Sequence, residues 1–560
     1  MKTKGTIIKR TVSNKEYYYH KYLEDGKQRN EILTEKDAYS IGFKIYFSGD
    51  NIDEFLSHEF KLDVSYGESL FQLSNPYRSF KKRFCFADIE DFLTNNYVGK
   101  VLILYGLRRT GKTTLMFQSI NSLSIKELSK AAYIKCNKGD TIYDLFDDLK
   151  YLTNNGFSYI YIDEVTLLED FVSLSSTLSD IYGLKAKIIL SGTDSLGFSI
   201  SIHNELYDRY KLIHTTYISY KEFAVTLGVN SIDQFIEYGG TMSLEGINYN
   251  KTIKTEDGYV NEYVDSSIIH NIIHSLKNVD NGKYFFHLYD LYEKNELENV
   301  INQIIEDNNH RFAISVIEQD FKSHDYGSLK QLLSSPRNYQ QFGDVLKGVN
   351  EEKLLKDLMD ALNIINKKKQ THKIDSNVLL ELEHYLYELD VLASIKEVIY
   401  PSYNEIKKMI FTQPGLRYSQ AKTLIEILLD DPKLKQYGLK VQNALKEKFL
   451  SDIKGRMIEE IIIYETSLYH KDTFKMNFAT DGEFDMVVLN NEKQTSDIYE
   501  IKYTDSMYAE QFKHLVNQQL VAIFEKKYYP IEHKYVLYRG DKDEGEVTYL
   551  NIEDYLVNLH

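Results

Sequence analysis

The chain has no tryptophan, only two cysteines and six prolines, and it lacks any apolar run of the ~18 residues that a membrane-spanning helix requires. Cys85 and Cys136 stand far apart, with no Cys-x-x-Cys and no Cys/His cluster. Neither a disulfide framework nor a structural zinc site is expected, and a reducing cytoplasm fits. The opening MKTKGTIIKRTVSNKEYYYH has no secretory apolar core, so the expectation is an untargeted protein with no membrane partner. Positive charge is in deficit, with 67 Lys plus Arg against 83 Asp plus Glu and a net charge of −16. Any DNA or RNA contact would therefore have to use local basic patches. Tyrosine is plentiful at 46 residues, and with abundant Lys, Ile and Asn it reads as the codon bias of an AT-rich genome. At 560 residues, a prior of about 150 residues per domain gives three or four domains.

The stretch Gly106-Leu-Arg-Arg-Thr-Gly111-Lys112-Thr113 matches G-x-x-x-x-G-K-[ST]. It lies between an apolar run, VLILY at 101–105, and the helix-forming TTLMFQSINSL, which is the setting a phosphate-binding loop needs. Backbone N–H groups at the helix N-terminus would close around phosphates, where the helix dipole also favours negative charge. Gly106, Arg108, Arg109, Thr110, Gly111, Lys112, Thr113 and Thr114 are the residues expected to hold ATP. Lys112 would contact the β- and γ-phosphates, and the Thr113 hydroxyl would ligate Mg²⁺. A second motif, YIYIDEV at 159–165, ends an apolar strand in two acids. Asp163 would hold Mg²⁺, and Glu164 would orient and polarise the attacking water. The next apolar strand ends in Ser191-Gly192-Thr193-Asp194, where Thr193 would sense the γ-phosphate. Arg209, in ELYDRYKL, reads either as an arginine finger toward its own or a neighbouring nucleotide or as a surface residue.

The expected organisation is α/β and multidomain. Residues 1–47 alternate apolar and polar, turn at Asp25-Gly26 and continue into a helix, giving a small β-hairpin module. Its interleaved Tyr and Lys would make either a nucleic-acid surface or a small sheet with a solvated face. Residues 48–84 read as a linker ending in KKRF, whose basic run would touch phosphate or form a solvated turn. From 85 to 235 strands and helices alternate (VLILY, AAYIKC, YIYID, AKIIL), predicting a parallel P-loop NTPase sheet. Residues 236–450 read as helical. Val378, Leu382, Tyr385, Leu386 and Leu389 share a face capped by Ser376 or Asn377, which reads either as ordinary helical core or, with ASIKEVIY as a wing strand, as a winged-helix-like unit. Residues 451–560 return to strands (FDMVVL, DIYEIKY, KYVLYRG) as a separate α/β domain.

In that last region GRMIEEIIIYET at 455–466, GEFDMVVL at 482–489 and YEIKYTD at 499–505 form a PD-(D/E)xK nuclease-like, restriction-endonuclease-like pattern. Adjacent strands would bring Asp485 and Glu500 together, and alternation puts Glu500 and Lys502 on one strand face. Two carboxylates and a lysine suit a Mg²⁺ or Mn²⁺ site that polarises a phosphodiester and acidifies a water, with Lys502 orienting that water. Glu459, on the preceding helix, would complete the metal shell. A lone Glu-x-Lys on a strand means little; the upstream strand and helix strengthen it.

Taken in order, these motifs resemble the AAA-like ATPases of bacteria and archaea that carry a C-terminal domain of unknown function numbered 4143. Arg108-Arg109-Thr110-Gly111-Lys112-Thr113 stands for that family's RR-x-GKT loop, YISYKEF at 217–223 for P-L-S-F-x-E-F, and Gly239-Gly240-Thr241-Met242 for GGFP. Asp208-Arg209 stands where the family has Gly-Arg, and Gln413 replaces the Asp of its Asp-Pro-Gly-Leu element in MIFTQPGLRYSQA. The resemblance covers about residues 95–505 and leaves the N-terminal module outside. Two functions follow as expectations. One is a Mg²⁺-dependent ATPase that presents nucleic acid, DNA above all, to a metal-dependent nuclease-like domain. The other is a signalling or defence ATPase whose C-terminal domain docks partners without catalysis; an oligomer is open to either. A kinase is a weaker third reading, since no acceptor-site feature stands out.

Overall fold

The computed structural model describes residues 5–12, 15–24, 27–47, 52–168, 171–192, 209–243, 252–255, 258–270, 272–273, 276, 285–322, 351–370, 375–479, 481–506 and 509–559. They form two compact units, residues 1–216 with 266–293, and residues 217–265 with 294–560.

The first unit opens with strands β1 (Thr6–Val12), β2 (Lys15–Glu24) and β3 (Lys27–Leu33), an antiparallel sheet in that order. The expected hairpin is thus three-stranded. Its turn residues Asp25 and Gly26 lie outside the described residues, while Glu24 pairs with Lys27. Alternation turns Tyr18 inward, 3% exposed, with Ile7 and Ala38, and its hydroxyl donates to Glu35 at 2.8 Å. The helix Glu35–Tyr46 follows, capped by Thr34.

The main sheet of this unit contains β4 (Asp63–Tyr66), β5 (Val101–Tyr105), β6 (Ala131–Lys135), β7 (Tyr159–Asp163), β8 (Lys187–Gly192) and β9 (Tyr210–His214). Their order is β4-β6-β7-β8-β5-β9. All neighbours are parallel except β4, which runs antiparallel to β6. The four apolar runs read as parallel strands all join this sheet, as strands covered on both faces must be apolar throughout. The stretch 48–84, expected to be a linker, instead supplies β4, the helices Ile52–Leu56 and Gly67–Ser74, and core side chains. Phe55 is fully buried and ringed by Phe43, Phe47, Phe60, Tyr66, Tyr151 and Phe157. Too few apolar residues stand in sequence there to signal a core, because the aromatics that fill it are spaced among charges.

The second unit contains a two-stranded ribbon, β10 (Thr252–Thr255) with β11 (Gly258–Asn261), and one large mixed sheet. That sheet is built from β12 (Leu392–Ile399), β13 (Asn404–Phe411), β14 (Thr473–Asn477), β15 (Glu483–Asn490), β16 (Thr495–Ile501), β17 (Ile531–Tyr538), β18 (Asp543–Glu544) and β19 (Thr548–Asn551). Its order is β13-β12-β14-β15-β16-β17-β19-β18. The expected wing strand is β12, which pairs parallel with β14 inside this sheet, so it belongs with the C-terminal strands rather than to a winged helix. The preceding helix, Ser376–Glu388, buries Val378, Leu382, Tyr385 and Leu386 as its spacing predicts, but its cap is Asp375, which accepts from Asn377 N. The expected boundary at 450–451 falls within a single 32-residue helix, Gly438–Tyr469. The Gly239-Gly240 element meets the Gln413-Pro414 element: Gly415 N donates to Gly239 O at 3.1 Å, and Gln413, fully buried, accepts from the Tyr263 hydroxyl at 3.2 Å. Among the described residues no helix is long and apolar enough to cross a membrane.

Phe55→Ala should destabilise the first unit by about 3–5 kcal/mol, the cost of removing a buried aromatic ring. Denaturant unfolding followed by loss of nucleotide binding reads this out; wild-type stability would show that 48–84 is dispensable to the core.

Candidate functional site

The parallel strands β5, β7 and β8 end at one edge of the first unit's sheet, and in such sheets ligands bind outside the carboxyl ends of the strands. The loop after β5 begins at Gly106, where φ is +143° and a Cβ would stand 2.6 Å from Thr215 Oγ1 and 2.8 Å from Thr216 N. Only glycine allows the loop to press so closely on the segment after β9. Leu107 N donates to Thr216 Oγ1 at 3.1 Å, and the Thr110 and Thr215 hydroxyls are 2.8 Å apart. Arg108 and Arg109 are exposed, Arg109 with φ of +65°. Gly111, left-handed at φ +90°, starts the helix Lys112–Ser122, so Thr113 and Thr114 lie in its first turn. Lys112 is 6% exposed and donates to Gly106 O and Leu107 O, both at 2.8 Å. Burial pushes its ammonium down to about 8, against the pull of Glu164 and Asp163.

Asp163 ends β7 and is 3% exposed. Its Oδ2 accepts from Thr113 Oγ1 at 2.9 Å and from the Tyr133 hydroxyl at 2.8 Å. Its Oδ1 accepts from Ser191 Oγ, at the end of β8, and from Glu164 N at 3.2 Å. Glu164 itself is left-handed, φ +56°, a conformation uncommon outside glycine, asparagine and aspartate, and often met at functional sites. Thus the two motifs, 50 residues apart in sequence, share a hydrogen bond between the residues read as Mg²⁺ ligands. Hydroxyl and carboxylate oxygens are the donors Mg²⁺ takes, so the pair fits that ion. Thr193 and Asp208 lie outside the described residues.

Arg209 lies beside the start of β5, at the end of that strand opposite Gly106. Its carbonyl accepts from Val101 N at 3.0 Å, at the start of β5, and its guanidinium pairs with Asp180 at 2.8 Å in an exposed ion pair. One strand, about 17 Å at ~3.3 Å per residue, separates that edge from Gly106. Sequence reading also passed over residues that brace the loop. Arg83, in KKRF, is 6% exposed and donates to Thr110 O at 2.7 Å and Thr215 O at 2.8 Å, so its charge faces carbonyls rather than solvent. The Thr215-Thr216 pair directly after an alternating strand, YKLIH, was the available signal for the other brace.

In the second unit, Asp485 on β15 and Glu500 on β16 lie on paired strands, 2% and 3% exposed. Asp485 Oδ2 accepts from Ile501 N at 2.8 Å and Lys502 Nζ at 3.1 Å, and Lys502 reaches Glu500 Oε1 at 2.6 Å. Glu459, from the long helix, pairs with Arg456 and with Lys475 of β14 at 2.9 Å. The structure therefore places all four expected residues in one cluster and adds Lys475, Arg456 and Glu483. Burial and the Glu500 charge hold the Asp485 carboxyl well above its ordinary range, with Lys502 opposing. Burial also raises Glu500 against the pull of Lys502. Glu459, though buried, is held below the carboxylate range by Lys475 and Arg456. Glu459, Glu483 and Asp485 each bring an oxygen within 4.8 Å of the others, a set of hard donors that fits a divalent cation.

The loop, the parallel sheet and the Asp163 contact define the first unit as a P-loop nucleotide-binding domain. The profile of the AAA domain family matches residues 98–224, and this part of the chain is an AAA-family P-loop ATPase domain. No protein of curated function matches the chain. Among solved structures, the chain is similar to Hsp104 of S. cerevisiae in a casein complex, at 14% identity and a TM-score of 0.23, covering 30% of this chain and 32% of that one. It is also similar to the Walker-type ATPase PABY2304 of Pyrococcus abyssi, at 13% identity and a TM-score of 0.27, covering 61% and 95% of the two chains. PCH-2 of C. elegans matches at 14% identity, 49% and 73% coverage and a TM-score of 0.16.

Lys112 carries a pH signature. Its folded value lies below the ordinary 10.5, so between about 8 and 10.5 the unfolded chain holds more protons and this group makes stability rise with pH. Nucleotide phosphates favour the charged amine, so ATP binding at about pH 9 should take up protons and weaken as pH rises. Calorimetry in two buffers of different ionisation enthalpy measures the uptake; none, or the same uptake in Lys112→Arg, would contradict it.

Proposed function

We propose that the chain is a Mg²⁺-dependent ATPase whose nucleotide cycle drives nucleic-acid binding or processing at the C-terminal carboxylate cluster. The observation that carries the ATPase reading is the Thr113–Asp163 hydrogen bond at the carboxyl edge of the sheet, with Lys112 buried one residue away. ATP would be held by the loop from Gly106 to Thr114, with Lys112 leaving the carbonyls of Gly106 and Leu107 for phosphate oxygens. Thr113 and Asp163 would hold Mg²⁺, which when bound neutralises phosphate charge. Glu164 would accept a proton from the attacking water, and Thr193 would face the γ-phosphate. Arg209 would serve a neighbouring chain's nucleotide in an oligomer or only its surface pair.

At the C-terminal cluster, Asp485, Glu500 and Glu459 would hold Mg²⁺ or Mn²⁺, which when bound polarises a phosphodiester and acidifies water. Lys502 would orient that water and offset developing charge. A second reading, a signalling or defence ATPase with a noncatalytic docking domain, is favoured by one observation: Lys475, Arg456 and Lys502 already pair with these carboxylates.

Lys112→Ala should abolish ATP turnover with the fold retained, and Glu164→Gln should slow it about 10²-fold or more while nucleotide still binds, the usual contribution of a general base. Phosphate release and nucleotide titration measure both; unchanged turnover in Lys112→Ala would sink the site assignment. Metal-dependent cleavage of plasmid, linear or branched DNA should disappear in Asp485→Ala and Lys502→Ala. If the wild-type protein cuts none of them with either metal, with or without ATP, the docking reading stands.

A further inference from the structure

Two residues of the C-terminal cluster, Glu483 and Lys475, carry no role in the nuclease-like pattern. Glu483 opens β15 two residues before Asp485, so strand alternation sets both carboxylates on one face. Lys475, with its side chain 4% exposed, lies between two acids, 2.9 Å from Glu459 Oε1 and 2.8 Å from Glu483 Oε1. Lys502 serves Glu500 and Asp485, and Arg456 serves Glu459. Four carboxylates thus share three cations. Among the described residues Glu500 Oε2, on a side chain only 3% exposed, has no hydrogen-bond partner. A carboxylate oxygen withheld from water and from donors is a strong attractor for positive charge. The spacing also suits an ion. Oxygens on one divalent cation, bound at about 2.0–2.6 Å, lie no more than about 5 Å apart, and those of Glu459, Glu483 and Asp485 fall within 4.8 Å of one another.

We infer that Glu459, Glu483 and Asp485 form a hard divalent-cation site in which Glu483 is a ligand beyond the Asp485–Glu500 pair, and that Lys475 is a tethered competitor for that ion. This rests on the metal-site reading above. The Lys475 ammonium bridges Glu459 and Glu483, and its four-carbon stem would let it withdraw when an ion takes those oxygens. Each ion that binds must displace a buried cation, so affinity is set by a contest between ammonium and metal. Lys475 thereby keeps the cluster neutral enough to fold and selects against weakly binding monovalent ions, which do not compete with a buried ammonium.

The test is a Mn²⁺ titration of the full chain without nucleotide, read by the electron paramagnetic resonance of free Mn²⁺, with circular dichroism as the fold check. Glu483→Gln should weaken binding by about tenfold or more, since even outer-sphere partners of metal ligands are worth 10–100-fold. Lys475→Met should tighten binding by about tenfold, and Lys475→Arg should bind no more tightly than wild type. If Asp485→Asn abolishes Mn²⁺ binding but Glu483→Gln leaves it unchanged, the inference fails and the metal-site reading survives. A wild-type protein that binds no Mn²⁺, or an Asp485→Asn variant that binds it normally, overturns both. Should Lys475→Met not fold, Glu483→Gln alone decides.

Discussion

The carboxylate of Asp163 accepts hydrogen bonds from Thr113, Tyr133 and Ser191, donors that come from the P-loop helix, β6 and β8. Hydrogen bonds to a charged group contribute about 1.5–3 kcal/mol each, and a carboxylate this deeply buried would be costly without them. Burial and Asp163 itself push the Tyr133 phenol far up, so it stays a donor at any pH the protein meets. The loop cannot shift without disturbing Asp163, and Asp163 cannot turn without disturbing β8. Arg83 completes the arrangement from below by tying Thr110 and Thr215 together through their carbonyls. Nucleotide chemistry and the integrity of the sheet edge therefore depend on the same few polar contacts.

How much of this was legible in the sequence follows from how local each signal is. The strands VLILY, AAYIK, YIYID and KIIL are apolar because both sheet faces are covered, so they could be read one at a time. The glycines, lysine and threonine of the loop must be contiguous to wrap a phosphate, and they are. The short segment 48–84 was not readable as part of the core, because Phe55 and Leu62 matter only once Phe43, Tyr151 and Phe157 arrive from elsewhere. β12 was misplaced for a related reason: an alternating strand carries no information on which sheet will accept it, and its partner β14 lies some 80 residues on. Arg83 looked like a surface cation, since a residue's type does not reveal that carbonyls will surround it.

At the C-terminal cluster, pairing and alternation correctly foretold that Asp485, Glu500 and Lys502 would meet. They said nothing of Lys475 or Glu483, which reach the cluster from β14 and from the start of β15. The balance there is delicate. Asp485 and Glu500 are pushed toward protonation by burial, while Glu459 is kept ionised by two cations. Neighbouring acids in one cluster thus sit in opposite electrostatic settings.

The helix Gly438–Tyr469 spans about 48 Å at ~1.5 Å per residue. Glu459 on it faces Lys475 and the carboxylates of Glu483 and Asp485, while the adjacent Glu460 pairs with Arg417 and Lys408. About a turn and a half further, Glu465 accepts from Tyr220 N at 2.6 Å and is pushed up to about 7 by burial. Consecutive helical residues point about 100° apart, so these acids divide the rod's circumference among three environments. Because one continuous helix carries all three acids, the position of Glu459 in its cluster and that of Glu460 beside Arg417 and Lys408 are fixed by the same backbone.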